Sequence, residues 1–162
     1  MTLSYDGGYK SIPYPNGDVP METGVCTDVV IRAYRVLGFD LQKLVHEDMK
    51  KNFSKYPQLW GLSRTDRNID HRRVPNLQRF FTRHGKFLPV TKDPAVYEAG
   101  DIVTWDLSHP NPRPLPHIGI VSDKMSADGK TPLIVHNIGG GAKVEDMLFN
   151  YKITGHYRYA PE

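Results

Sequence analysis

Hydrophobic residues recur at helical spacing in the first half of the chain. In the first such segment, which begins at Cys26, the apolar positions follow the i, i+3, i+4, i+7 pattern of a buried helix face: Val29, Val30, Ala33, Tyr34 and Leu37. Thr23 is the expected N-cap, which leaves Cys26 in the first turn, and Gly38 is expected to end the helix.

Two further helices follow from the same kind of pattern. The second begins after Asp40, an expected N-cap, and carries apolar positions as far as Phe53. The third is short, with Pro75 at its first position and Gly85 after its last turn. Residues 1–22 read as an irregular lead-in, and residues 52–75 as mostly loop with one turn of helix.

The pattern changes after Gly85 to short runs of β-branched and aromatic residues separated by proline-rich or glycine-rich turns. These runs are residues 101–107, 117–122, 133–138 and 156–159. They are typical of an antiparallel sheet. Since the helices come first and the strands after, the fold class is α+β, with N-terminal helices packed on a C-terminal sheet. A single domain over residues 1–162 is expected.

The composition excludes several classes of function but does not identify one. The chain has 162 residues, and its net charge of +3 is too mild to indicate a nucleic-acid partner, although it suits work near an anionic polymer such as a cell wall. No apolar run is long enough to span a membrane. One cysteine excludes a disulfide framework and a cysteine-rich zinc site, and no histidine pair has zinc spacing. We therefore expect neither a metal nor a cofactor.

Cys26 is the first candidate for chemistry. At a helix N-terminus, the free N–H groups and the helix dipole favour a thiolate. The alternative is a buried, inert cysteine, because free cysteine is among the most buried residue types. A nucleophilic thiol also needs a base, so the histidines decide between the two.

Two of the seven histidines lie in predicted strands that can be neighbours. His117 begins one strand, and His136 lies in the next. A base needs a rigid mount and a third polar group that orients its ring, and these positions supply both. Asn137 could orient the ring in place of His136, but strand alternation sends the two side chains to opposite faces. The structural alternative is that both histidines only pair across the sheet.

The order of motifs GVCTDVV, GDIVTWD, HIGIVSD and LIVHNIGGG resembles the NlpC-type cell-wall peptidases of the papain-like superfamily. The resemblance implies a papain-like fold, with Cys26 as nucleophile, His117 as base and His136 as the orienting residue. The chain is still more similar to an uncharacterised bacterial family of that superfamily, marked by GVCTDVVIRAYR and NIDHRRVPNL. It departs from the common Asp-Cys-Ser-Gly motif at Val25–Asp28, so substrate recognition does not transfer.

Several residues are candidates for binding substrate or its oxyanion. The backbone N–H of Cys26 is the expected first oxyanion donor, and Tyr14 is a candidate second donor. Arg72 and Arg73 belong to a charge-dense segment that forms either a substrate-binding rim or an internal ion-pair network with Asp66 and Asp70.

Asp28 is the remaining candidate for this binding surface. It lies two residues after Cys26, on a different face of the helix, and its alternative role is to tie down a neighbouring loop.

The sequence therefore predicts a monomeric cysteine peptidase or amidase that hydrolyses amide bonds in peptidoglycan peptides. The alternatives are a papain-like acyltransferase or hydrolase with another acyl substrate, and a non-enzymatic cell-wall-binding module. The expected location is the periplasm or outside the cell. Because residues 1–10 lack the apolar core of a secretory signal, three possibilities stay open: export without a cleaved signal, a signal that precedes this sequence, or a protein that stays inside the cell. An enzyme that attacks a rival cell would need an immunity partner.

Overall fold

A computed structural model describes residues 2–161 of the chain. The three predicted helices are α1 (Cys26–Val36), α2 (Leu41–Lys51) and α3 (Val74–His84). Three short 3-10 turns lie between these elements or after them, at Phe53–Lys55, Asp70–Arg72 and Pro94–Val96. The first two of these turns lie in the segment that was predicted to be mostly loop, and both are a single turn long.

The caps of the first two helices differ in how well they were predicted. Asp40 caps α2 as predicted, and its carboxylate accepts a hydrogen bond from the Gln42 N–H. For α1 the prediction of Thr23 was wrong, because the N-cap is Val25. The Thr23 hydroxyl bonds to the carbonyl of Pro20 instead. Asp28 reaches back from the first turn and accepts the Val25 N–H at 2.7 Å, as acidic residues in a first turn commonly do.

Six strands form one antiparallel sheet. In chain order they are β1 (Lys86–Leu88), β2 (Ile102–Asp106), β3 (Pro116–Met125), β4 (Pro132–His136), β5 (Lys143–Glu145) and β6 (Lys152–Arg158). Their order across the sheet is β1-β6-β2-β3-β4-β5. The four predicted strands correspond to β2, β3, β4 and β6. The two that were not predicted, β1 and β5, are the edge strands, which are three residues long and mostly exposed; they lack the buried alternation that identifies a strand.

The α+β fold class is confirmed, because the helices lie on one face of the sheet. The helix-side core joins α1, α2 and α3 to inward residues of the sheet such as Ile102 and Ile118. A second, smaller core lies on the other face, where Val103 and Trp105 of β2 pack with Met147 and Leu148. Successive residues of β2 therefore point to different cores, as the pleat requires.

The lead-in runs beside the start of α1. The N–H groups of Leu3 and Ser4 bond to the carbonyl of Glu22, and that of Asp6 bonds to the carbonyl of Gly24. The Ala142 N–H in turn bonds to the carbonyl of Thr2. Residues 2–6 therefore link the segment just before Cys26 to the glycine-rich turn after β4 through backbone hydrogen bonds. Among residues 2–161, no helix has the length and hydrophobicity to cross a membrane.

Candidate active site

The start of α1 abuts the ends of two adjacent strands. The Cys26 sulfur lies within hydrogen-bonding reach of the backbone N–H of Ile118 in β3, the residue directly after His117. One residue beyond β4, the Asn137 amide donates to the carbonyl of Gly24 at 3.4 Å. These contacts bring the cysteine to the strand that carries His117.

Cys26 is buried, with 5% of its surface exposed. Burial raises the pKa of its thiol to about 11, against the opposing effect of the backbone N–H groups of Ile118, Thr27 and Cys26. The sequence had led us to expect a thiolate at this helix start. In this conformation the cost of removing charge from water exceeds the stabilisation by the helix terminus, so the thiol is neutral at pH 7.

The two histidines meet on the sheet. Nε2 of His117 and Nδ1 of His136 lie 2.8 Å apart in a buried hydrogen bond, and the rings are 2% and 1% exposed. Burial, together with the neighbouring His136, lowers the pKa of His117 to about 4. Both rings are consequently neutral at pH 7. It is His136, and not Asn137, that bonds to His117; the Asn137 side chain turns to Gly24 and Gly139.

A carboxylate that the sequence analysis did not identify lies next to His136, near the ring nitrogen that does not bond to His117. Glu145 Oε2 lies 3.5 Å from Nε2 of His136, and the Glu145 side chain is 40% exposed. In the register of β4 and β5, His136 is opposite Lys143 and Ile134 is opposite Glu145. Glu145 is therefore the diagonal neighbour of His136 on the same face.

Trp105 extends the same row on the other side of His117. Trp105 pairs with His117 across β2 and β3, and the ring centroids are 5.7 Å apart. The indole N–H is fixed by the carbonyl of Leu148 at 2.9 Å. The row from Trp105 to Glu145 crosses β2, β3, β4 and β5, so the orientation of the His117 ring is constrained from both sides.

Gly119 makes room for this row. A Cβ at this position would lie 2.8 Å from Cγ2 of Ile134, 2.9 Å from the carbonyl oxygen of Val135 and 3.2 Å from Cβ of His136. Any side chain here would press on β4 where His136 is mounted. The glycine of the His-x-Gly motif thus has a steric role at the site.

Asp28 and Arg72 do not form a substrate-binding surface as predicted, because they neutralise each other in the interior. The guanidinium makes two bonds to the carboxylate, of 3.0 and 2.9 Å, and both side chains are 4% exposed. The Thr27 hydroxyl also bonds to the carbonyl of Arg72. Asp28 thus ties down a neighbouring loop, the alternative role expected from the sequence, and the pair anchors the turn that carries Cys26.

The structure corrects the prediction for Tyr14. Its ring packs edge-on against His46 at 5.1 Å, beside the guanidinium of Arg67. The tyrosine near the nucleophile is Tyr5 of the lead-in: burial raises the pKa of its phenol, and the charges of Cys26 and Asp28 raise it further. No pattern in the sequence marked Tyr5, because its position depends on the path of an irregular segment.

The remaining candidate, Arg73, is half-buried, and its guanidinium lies 4.2 Å from the centroid of the Trp60 ring. The expected ion-pair network exists in part, with a different acid, since Arg72 pairs with Asp28 and not with Asp66 or Asp70. Within residues 2–161, no group of three or more acidic, histidine or cysteine side chains is placed to hold a metal ion.

Fold and site together define an α+β protein in which a cysteine at a helix start faces the strand of a histidine–histidine–glutamate row. The chain belongs to the family described as "Domain of unknown function (DUF1287)", whose model matches residues 1–159. It is 60% identical over 158 residues to "Uncharacterized protein YijF" of Escherichia coli (strain K12), which covers 98% of this chain and 75% of that protein. No solved structure matches the chain. The membership agrees with the uncharacterised bacterial family expected from the sequence.

Proposed function

We propose that the protein is a cysteine hydrolase with a papain-like fold of the NlpC type, which cleaves amide bonds in peptidoglycan peptides. Cys26 is the nucleophile, His117 the base and His136 the residue that orients it. The observation that carries the proposal is the buried 2.8 Å bond between Nε2 of His117 and Nδ1 of His136. His117 is followed directly by Ile118, whose backbone N–H contacts the Cys26 sulfur, and the three residues stand in the chain order that the family resemblance implies.

Hydrogen-bond direction supports the role of His117 as a base. A carboxylate only accepts hydrogen bonds, so Glu145 favours the proton of His136 on Nε2. Nδ1 of His136 is then an acceptor, and it accepts a hydrogen bond from the Nε2–H of His117. The only nitrogen of His117 left with a free lone pair is Nδ1, which is the atom that must reach the Cys26 sulfur. Glu145 is thus a positioning residue that selects the tautomer of both rings.

The reaction that follows is acyl transfer through the thiol. Nδ1 of His117 accepts the thiol proton as the Cys26 sulfur attacks the carbonyl carbon, and the oxyanion is held by the free N–H groups at the start of α1. His117 then donates its proton to the leaving amine. Water, activated by the same ring, hydrolyses the thioester and returns Cys26 to the thiol. Tyr5 supports the oxyanion as a second donor.

The pKa values of the two groups imply that the site must open. With the Cys26 pKa at about 11 and the His117 pKa at about 4, an ion pair between them is strongly disfavoured in this conformation. Movement of the lead-in away from Cys26 would let water reach the thiol, and its pKa would fall towards that of His117. The lead-in is held there by backbone hydrogen bonds to Glu22, Gly24 and Ala142, so it can open without unfolding the sheet.

The substrate class rests on the resemblance to NlpC-type peptidases. It implies action on cell-wall peptides in the periplasm or outside the cell, with an immunity partner if the target is a rival cell. The test is digestion of purified peptidoglycan by the wild type, Cys26→Ala and His117→Ala, with fragments identified by mass spectrometry. Peptide fragments that appear only with the wild type are expected. Equal release by Cys26→Ala would overturn the proposal.

A non-enzymatic cell-wall-binding module is the second candidate, and the burial of Cys26 is the observation that favours it. It predicts that the thiol resists alkylation even when peptidoglycan is present. Co-sedimentation with peptidoglycan without any released fragment, together with an inert thiol, would replace the hydrolase by this module.

A further inference from the structure

A second polar cleft is bordered by the lead-in, α2 and the loop that precedes α3. It has a volume of about 530 Å³, and its polar lining residues come from all three: Tyr9, His46, Arg64, Thr65, Asp66, Arg67 and Asn68. Neither Cys26 nor the row of His117, His136 and Glu145 lines it.

Two arginines of this cleft have no acidic partner. Arg32, Arg35, Arg72, Arg83 and Arg158 each form an ion pair. Within the part of the chain that the structure describes, neither Arg64 nor Arg67 has one.

The acid next to them in the chain is already committed. Asp66 Oδ2 accepts from the Tyr9 hydroxyl, and Oδ1 accepts from the Asn68 N–H, both at 2.9 Å. Arg67 is positioned by an aromatic ring, because its guanidinium lies 5.4 Å from the centroid of Tyr14. Asp66 keeps its own charge, so two guanidinium groups and one carboxylate leave the cleft with a net positive charge.

His46 adds a buried ring nitrogen, Nδ1, that has no hydrogen-bond partner among the described residues. The edge of Tyr14 packs against the ring. An unsatisfied buried polar atom costs free energy, which a ligand at the right place recovers. Two unpaired guanidinium groups and an unpaired imidazole around one cleft are the donor set that recognises a carboxylate or a phosphate.

We propose that this cleft binds an oxyanion, the carboxylate or phosphate group of a ligand, through Arg64, Arg67 and His46. The planar guanidinium of Arg67 supplies the bidentate contact, Arg64 adds a second charge from the rim, and His46 donates from the floor. The binding does not depend on the thiol, so the site exists whether or not the protein is a hydrolase.

The test is a titration of the full chain with sodium phosphate or with sodium acetate, at ionic strength held constant with sodium chloride. The histidine ring resonances are followed by NMR. We expect a saturable shift of the His46 resonances with one of the two anions, and its identity reports the ligand group. Arg67→Gln and Arg64→Gln should each weaken that binding about tenfold, as expected for loss of a charged hydrogen bond.

Arg113→Gln is the matched control, since Arg113 is exposed and distant in sequence from the cleft; it should leave the affinity unchanged. Absence of a saturable His46 shift with both anions would overturn the proposal, as would equal weakening by Arg113→Gln. Cys26→Ala should bind like the wild type. A wild-type protein that binds the anion but releases no peptidoglycan fragments would therefore refute the hydrolase and leave this site standing.

Discussion

Nε2 of His117 and Nδ1 of His136 are joined by a buried 2.8 Å hydrogen bond, although the residues are 19 positions apart in the chain. One ring must donate and the other must accept, so the two tautomers are coupled. The group that biases the coupling is Glu145, on the edge strand β5, 3.5 Å from the outer nitrogen of His136. The sequence therefore encodes an ordered row of polar side chains across three strands, with a hydrogen bond between the two histidines and an electrostatic contact to Glu145 at its end.

Glu145→Ala should remove the preference of His136 for the tautomer with its proton on Nε2. We expect His136 to populate the tautomer with the proton on Nδ1, which reverses the bond to His117 and moves the proton of His117 to its own Nδ1. The base then has no free lone pair for the thiol, so the proposed hydrolysis should fall about 10- to 100-fold, the usual cost of losing an orienting partner. Histidine nitrogen NMR reports the tautomers directly. Glu47→Ala, which removes an exposed glutamate of α2, is the control. Unchanged His136 tautomers in Glu145→Ala would contradict the role of Glu145.

How much of this site the sequence could predict depends on the range of each contact. Cys26, His117 and His136 lie in periodic segments and in motifs that resemble a known family, and their order was informative. Glu145 lies in a three-residue edge strand with no buried alternation, so no periodic signal marked it. Its register against β4 depends on the turn over residues 137–142, which residue types alone do not determine.

The Asp28–Arg72 pair could not be predicted from the sequence for a different reason. Asp28 was correctly seen on another face of α1 from Cys26, but its partner is 44 residues away in an irregular segment. Charge patterning in the sequence favoured local partners such as Asp70, whereas tertiary packing selected Asp28. The same applies to Tyr5 and Tyr14, whose neighbours depend on the path of the lead-in.

Arg72→Gln should strongly destabilise the protein. It leaves the Asp28 carboxylate buried without its counter-ion, and breaking such a pair costs about 3 to 5 kcal/mol. Urea denaturation measures the change in the free energy of unfolding. Arg113→Gln, at an exposed arginine, should change it by less than about 0.5 kcal/mol. Similar values for the two variants would mean that the pair does not anchor the turn that carries Cys26.

Gly119→Ala tests whether β4 and His136 need the free space that the glycine leaves. The added Cβ would meet Ile134 and Val135 at less than 3 Å, so we expect a destabilisation of about 1 to 3 kcal/mol and a shift of the His136 ring resonances. Gly7→Ala is the comparison, because its Cβ would make only ordinary contacts of 3.9 and 4.0 Å. A Gly119→Ala protein with wild-type stability and histidine spectra would rule out the steric role.

Tyr5→Ala should speed the alkylation of Cys26 by iodoacetamide. Removing the phenol opens the lead-in beside the thiol and lets water in, which lowers the pKa of Cys26 from about 11. The rate at pH 7 to 9 should rise about tenfold, the effect of one pKa unit. Tyr151→Ala, in a distant exposed segment, should leave it unchanged. If Tyr5→Ala does not react faster, the lead-in does not control access.

Stability should rise as the pH is raised from about 4 to 6.5. Burial lowers the pKa of His71 and of His117 to about 4, from an ordinary 6.5, so the unfolded chain binds more protons in this window. Their contribution is fully present above 6.5 and is lost as the pH falls through 4. Asp70 has the opposite sign, because burial raises its pKa to about 6 and its contribution is lost as the pH rises.

The measurement for this pH dependence is urea denaturation at several pH values. The two histidines outweigh Asp70, and His71→Asn should reduce the slope by up to about 1.4 kcal/mol per pH unit. His109→Asn, at an exposed histidine, should leave the slope unchanged. A slope that is the same in His71→Asn and in the wild type would show that His71 is not buried neutral.

The row from His117 to Glu145 also has a kinetic consequence. Its inner members are almost fully buried, but Glu145 at its outer end is 40% exposed. A proton that arrives on His117 can therefore leave for bulk water by successive transfers through His136 and Glu145. If Cys26 passes its thiol proton to His117, as the proposed mechanism requires, this row is the route by which a thiol shielded from solvent exchanges protons with bulk water.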